Sequence, residues 1–124
     1  MTSPMPARTG RAAVERYYRL VDANRVSELV ELFAEDSVYH RPGYRPLVGR
    51  AELTAFYTGE RVIESGRHVL SAVLTDGPRT AVHGEFTGRL KDGSDVRIRF
   101  ADFFEVAADG LFSRRETFFF APAV

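Results

Sequence analysis

The chain of 124 residues has no cysteine, no tryptophan and one lysine, Lys91. Without cysteine it has no disulfide framework, no thiolate nucleophile and no sulfur-ligated zinc. Its 17 basic residues are offset by 17 acidic ones, and the arginines are scattered among the acids. A nucleic-acid partner, which needs clustered Lys and Arg to neutralise phosphates, is therefore not expected. No apolar run approaches the roughly 20 residues that span a bilayer. The opening MTSPMPARTG also lacks the apolar stretch of a signal peptide. These absences predict a cytoplasmic protein with no membrane partner. What the chain does have is 44% hydrophobic residues, with ten Phe and five Tyr. That supports a substantial core and excludes intrinsic disorder.

Residues 1–10, with two Pro, Ser, Thr and Gly, read as a loose leader, and 11–124 as one domain. Val14, Tyr17, Tyr18 and Val21 fall on one helical face. Val26, Leu29, Val30 and Phe33 repeat the spacing, with Asn24 as a candidate cap. A short strand over 36–41 stops at Pro42-Gly43, and a third helix over 50–60 carries Leu53, Phe56 and Tyr57 on one side. Four β-type runs follow, at 68–75, 80–90, 96–106 and 111–120, separated by Asp-Gly turn signals. The order ααβαββββ predicts an α+β fold, three helices packed on a strongly bent antiparallel sheet.

Within 96–106 the even positions are Val96, Ile98, Phe100, Asp102, Phe104 and Val106, so period two places one carboxylate on an apolar face. If Asp109-Gly110 are the central turn residues, Asp102 lies opposite Thr117, and Arg115, Thr117 and Phe119 share its face. A slip of one residue would oppose Asp102 to Glu116, a like-charge pair that a sheet disfavours. The same operation at Asp92-Gly93 places His83 opposite Asp102, with Glu85, Thr87 and Arg89 beside it and Val82, Phe86 and Leu90 turned away. A bulge in either hairpin would flip a face. Tyr39 and Arg41 alternate on the first strand, an aromatic wall and a cation suited to an enolate or carboxylate. Polar groups among aromatics in this way are the pattern of a ligand pocket.

The segments ERYYRLVDAN, ELFAEDSVYHRPGY, GRAELTAFY and RFADFFEVAADGLFSRRETFFF resemble the nuclear-transport-factor-2-like superfamily, in particular SnoaL-like polyketide cyclases and ketosteroid isomerases. The resemblance runs from about residue 12 to 120 and implies a cone-shaped fold, a bent sheet around a pocket closed by helices. It matches Tyr17 to the tyrosine with which ketosteroid isomerases hydrogen-bond a developing oxyanion, and Asp102 to their second donor. Arg41 stands where those isomerases place the general-base Asp, which argues against steroid isomerisation by the usual route. In SnoaL-like cyclases an acidic residue near Asp102 is implied as acid/base. Thr117 falls where limonene epoxide hydrolases need a carboxylate, which disfavours an epoxide hydrolase. A homodimer is also implied.

The leading expectation is an enzyme that moves protons on a hydrophobic carbonyl compound, such as a polyketide or steroid-like molecule, by cyclisation, isomerisation or dehydration without a cofactor. Asp102 is the acid/base, His83 its partner, and Tyr17 with Arg41 stabilise the developing charge. Tyr39, Phe56, Tyr57, Glu85, Phe100, Arg115, Thr117 and Phe119 contact the substrate. His40, His68 and His83 lack metal-ligand spacing, so no metal is expected. The plainer alternatives are a buried ion pair of Asp102 with Arg115 or His83, Tyr17 as core packing, and Arg41 neutralising Glu85. A non-catalytic binding domain is the second functional reading. A dimerisation module whose pocket is filled by Phe56, Tyr57, Phe100 and Phe119 is the third.

Overall fold

A helical face of Val14, Tyr17, Tyr18 and Val21 opens the described fold. The structure, a computed structural model, describes residues 6–121. Helix α1 (Pro6–Asp22) thus reaches back into the stretch expected as a leader, while residues 1–5 lie outside the described residues. Its stripe of Val14, Tyr17, Tyr18 and Val21 is buried, as the spacing predicts. Asn24 does not cap α2 (Val26–Val30). It takes the left-handed φ of 57° in the turn between the helices, a conformation asparagine tolerates. The second helix ends before Phe33, which opens strand β1 (Phe33–His40).

Strand β2 (Leu47–Val48), not foreseen from the sequence, pairs with β1 and leads into α3 (Gly49–Ala55). A π-helical turn over Phe56–Glu60 continues α3, and both Phe56 and Tyr57 are buried there. Four long strands follow: β3 (Ile63–Asp76), β4 (Arg79–Leu90), β5 (Asp95–Val106) and β6 (Phe112–Phe119). The six strands form one strongly curved sheet in the order β2-β1-β6-β5-β4-β3. The sheet is mixed rather than antiparallel, because β1 runs parallel to β6 and sets Tyr39 beside Arg115. In the β3–β4 ladder Gly66 faces Gly88, and the Phe86 ring fills the space above both. A Cβ on Gly66 would come within 2.2 Å of that ring, so only glycine fits under it. Among the described residues no helix is long and apolar enough to cross a membrane.

The β3–β4 turn has two residues, Gly77 and Pro78, whereas the turns at Asp92-Gly93 and Asp109-Gly110 are each longer by one residue. Between β4 and β5, Leu90 N–H donates to Ser94 O and Gly93 N–H to Leu90 O, with Gly93 at φ 90°. The loop is therefore 91–93, and Val82 rather than His83 lies opposite Asp102. Between β5 and β6, Ala107 N–H donates to Leu111 O, which alone would shift the pairing in the same direction. Here an irregularity between the Val106↔Phe112 and Glu105↔Arg114 pairs restores the expected Asp102↔Thr117 register.

Candidate functional site

The concave face of the sheet, α1 and the π-helical turn enclose a narrow pocket. Its interior void is about 50 Å³, within an envelope of about 480 Å³ that includes the mouth. Asp102 sits at its floor on β5, with no exposed surface. Period two on β5 and β6 brings Phe100, Thr117 and Arg115 to the same side.

Three donors converge on the Asp102 carboxylate. Oδ2 accepts from the Tyr18 hydroxyl and from Arg115 Nη2 at 2.7 Å, and Oδ1 accepts from the Thr117 hydroxyl. Because the Thr117 proton is committed to Asp102, Tyr39, whose hydroxyl lies 3.0 Å from Thr117 Oγ1, is the donor of that pair. Arg115 Nη1 donates to the Tyr17 hydroxyl and, at 3.3 Å, to that of Tyr57, and these two phenols hydrogen-bond each other. The guanidinium lies 4.5 Å from the Tyr17 ring and 4.4 Å from the Tyr39 ring. Only its Nε lacks a partner among the described residues.

Burial opposes the Arg115 charge, but the Asp102 carboxylate and the surrounding phenols outweigh it and hold the guanidinium well above its ordinary range. Burial, reinforced by the Tyr57 and Tyr39 phenols against the opposing Arg115 charge, pushes Tyr17 well up. Burial and the Asp102 charge do the same to Tyr18. Tyr39 rises to about 12, again mainly through burial. All three phenols keep their protons at neutral pH; Tyr18 donates to Asp102 and Tyr39 to Thr117.

The mouth is cationic and aromatic. The Arg41 guanidinium lies about 5.5 Å from the Tyr44 and Phe119 rings and 5.6 Å from that of Phe56, while Arg61 lies 5.7 Å from Tyr57. Neither arginine forms an ion pair among the described residues, and among the described lining residues Arg41, Arg61 and Arg115 face the single carboxylate of Asp102.

The structure thus brings together Asp102, Tyr17, Arg41, Tyr39, Phe56, Tyr57, Phe100, Arg115, Thr117 and Phe119. It removes His83 and Glu85. His83 is exposed on the outer face beside Ala101, and Glu85 pairs there with Arg97 at 3.1 Å rather than with Arg41. The cause is the three-residue turn at 91–93, which exchanges the two faces of β4 and turns Val82 and Phe86 inward. Three site residues were not foreseen: Arg61 at the mouth, which follows the third helix without any pattern of its own, Tyr18 and His68. Tyr18 was visible as the second tyrosine of the α1 stripe. His68 could be placed only by the fold: its Nδ1 lies 2.6 Å from Asp22 Oδ1, and its ring packs on Tyr18, Phe86 and Phe100.

A family model described as the SnoaL-like domain matches residues 14–115. No curated protein matches the chain. Among solved structures it is similar to a protein of Kribbella flavida DSM 17836 provisionally named a ketosteroid isomerase. The two are 27% identical with a TM-score of 0.79, over 97% of this chain and 84% of that one. SalBIII, an epoxide hydrolase/cyclase-like enzyme of pyran ring formation in the polyether salinomycin, is 20% identical with a TM-score of 0.80, over 90% of this chain and 91% of that one. An NTF2-like protein of unknown function from Burkholderia pseudomallei K96243 is 17% identical with a TM-score of 0.81, over 90% of each chain. The last two share the fold alone.

Proposed function

Because the chain belongs to the SnoaL-like domain family, we propose that it binds a flat hydrophobic carbonyl compound with an acidic substituent and moves a proton on it without a cofactor. The observation that carries this reading is the Tyr17–Tyr57 phenol pair backed by Arg115. Tyr57 is the more exposed of the two, 8% against 2%. With Tyr17 donating to Tyr57, the Tyr57 proton is free to meet a ligand oxygen. As a carbonyl becomes an enolate its oxygen gains charge, and a fixed donor backed by a guanidinium stabilises that charge more than the neutral carbonyl. Arg41 and Arg61 at the mouth favour an anionic group on the same ligand. The interior is small beside the 300–1,000 Å³ common for ligand pockets, which favours one or two rings over four. Isomerisation, dehydration and cyclisation all pass through such an enolate.

On this reading Asp102 is the counter-ion that keeps Arg115 aligned, and its three bound donors leave it little part in proton exchange. That same clamp supports a second reading, a non-catalytic binding domain. Both readings require ligand capture, so fluorescence titration with 6-hydroxy-2-naphthoate and with 2-naphthol is the first test. The naphthoate should saturate the pocket and bind more tightly than the naphthol, and Tyr57→Phe should weaken it by about 10- to 100-fold, as loss of a charge-backed hydrogen bond does. Absence of saturable binding for both compounds sinks the two readings together.

On the outer face Phe103 and Phe118 stack edge to face at 5.8 Å while remaining 50% and 53% exposed. A second copy of the chain is the proposed cover for this patch. Sedimentation should find a dimer that Phe118→Asp converts to monomer, and a monomeric wild type would remove the proposal.

A further inference from the structure

We propose that His68, oriented by Asp22, is the general base of this site. The inference rests on the proton-transfer reading above and adds the group that reading lacks. Among the polar groups lining the pocket, a guanidinium has no acceptor atom, the Tyr17, Tyr39 and Tyr57 hydroxyls are tied into the hydrogen bonds around Arg115 and Thr117, and Asp102 is clamped by Tyr18, Thr117 and Arg115. His68 lines the same pocket and is the exception.

Asp22 holds His68 twice, at the end of α1 and the middle of β3. Asp22 Oδ2 accepts the His68 backbone N–H at 2.8 Å, and Oδ1 accepts from Nδ1 at 2.6 Å. A carboxylate only accepts, so Nδ1 carries a proton, and the neutral form of the ring is the tautomer that presents its lone pair at Nε2. Nε2 lies on the ring edge away from Asp22 and has no hydrogen-bond partner among the described residues. The ring is wedged between aromatic neighbours, with centroids 4.9 Å from Tyr18, 4.7 Å from Phe86 and 5.4 Å from Phe100, which fixes its plane. A tether between helix and strand needs only the backbone bond. The second bond sets the tautomer, as a carboxylate does for a catalytic histidine.

His68 also lines an outer groove together with Glu15, Arg19, Asp22 and Arg67. Asp22, whose side chain is 22% exposed, gives the pair its access to solvent for proton exchange. In the step itself, Nε2 forms a bond to a proton on the carbon next to the carbonyl. The C–H electron pair becomes the C=C bond of the enolate, and the carbonyl π pair moves to the oxygen held by Tyr57. The imidazolium, its charge offset by Asp22, then returns the proton to another carbon or to a leaving hydroxyl.

The test uses 2-tetralone as carbon acid, with deuterium uptake at its activated positions in D2O followed by NMR. Wild-type protein should accelerate uptake, and His68→Gln should lose at least about 100-fold of that rate, the low end for a positioned base, while still binding 6-hydroxy-2-naphthoate. Asp22→Asn should lose less, and added imidazole should restore exchange to His68→Ala. Undiminished exchange in His68→Gln alongside loss in Tyr57→Phe overturns the base and leaves the proton-transfer reading standing. Loss in His68→Gln together with loss of naphthoate binding, and no rescue by imidazole, makes the residue structural and overturns the proposal. No exchange by the wild type overturns the proton-transfer reading and the base with it.

Discussion

Asp102 and Asp22 are two carboxylates on opposite sides of the α1–sheet contact, and the chain treats them in opposite ways. Asp102 is fully buried on β5 and receives three side-chain donors, one of them a buried guanidinium. Asp22 has a side chain 22% exposed and holds one histidine and one backbone N–H. The first arrangement locks a charge in place, because every change of protonation would strand a partner in a medium of low dielectric. The second leaves room for charge to move, because water reaches the carboxylate and its histidine partner has a second ring nitrogen that can take up a proton. A site for proton transfer needs both, a fixed field at the oxygen and a mobile proton at the carbon.

The sharpest break of this contrast is Arg115→Met. It leaves Asp102 buried without its cation and Tyr17 and Tyr57 without their shared donor. Breaking a buried pair from one side costs about 3–5 kcal/mol, whereas replacing both partners by apolar groups is far less damaging. Urea denaturation should therefore show Arg115→Met strongly destabilised and Arg115→Met/Asp102→Leu partly recovered. Equal loss in single and double variants would mean that packing, and not the stranded charge, sets the cost.

The floor of the pocket was largely legible in the sequence, while its proton-accepting edge was not. Asp102 stood out because period two left one charge on an apolar strand face, and the cost of opposing it to Glu116 selected the Thr117 register. The turn is one residue longer than this register requires, and the irregularity near Ser113 compensates. At 91–93 the same lengthening goes uncorrected, so His83 and Glu85 were assigned to the wrong face. In both loops the Asp side chain accepts a backbone N–H two residues on, Ser94 for Asp92 and Leu111 for Asp109. That local bond favours the longer loop over a two-residue turn. Local pattern carries no such information about His68, whose role depends on a helix end 46 residues away in sequence.

The phenols offer the finest test of the locked floor, through alkaline pH. Tyr17, Tyr18 and Tyr39 all have raised folded-state values, Tyr39 to about 12 against 10.0 unfolded. Between those two values the unfolded chain loses protons that the folded chain keeps, so stability falls as pH rises. Below about pH 10 their contribution is fully present. Each tyrosine contributes a slope of about 1.4 kcal/mol per pH unit within the window. Tyr39→Phe should therefore lower the alkaline slope of unfolding free energy by about that amount and leave the slope between pH 7 and 9 unchanged. Urea titrations at stepped pH would check it. An unaltered alkaline slope would place Tyr39 in contact with solvent when folded, and the floor of the pocket would then be no more locked than the Asp22 edge.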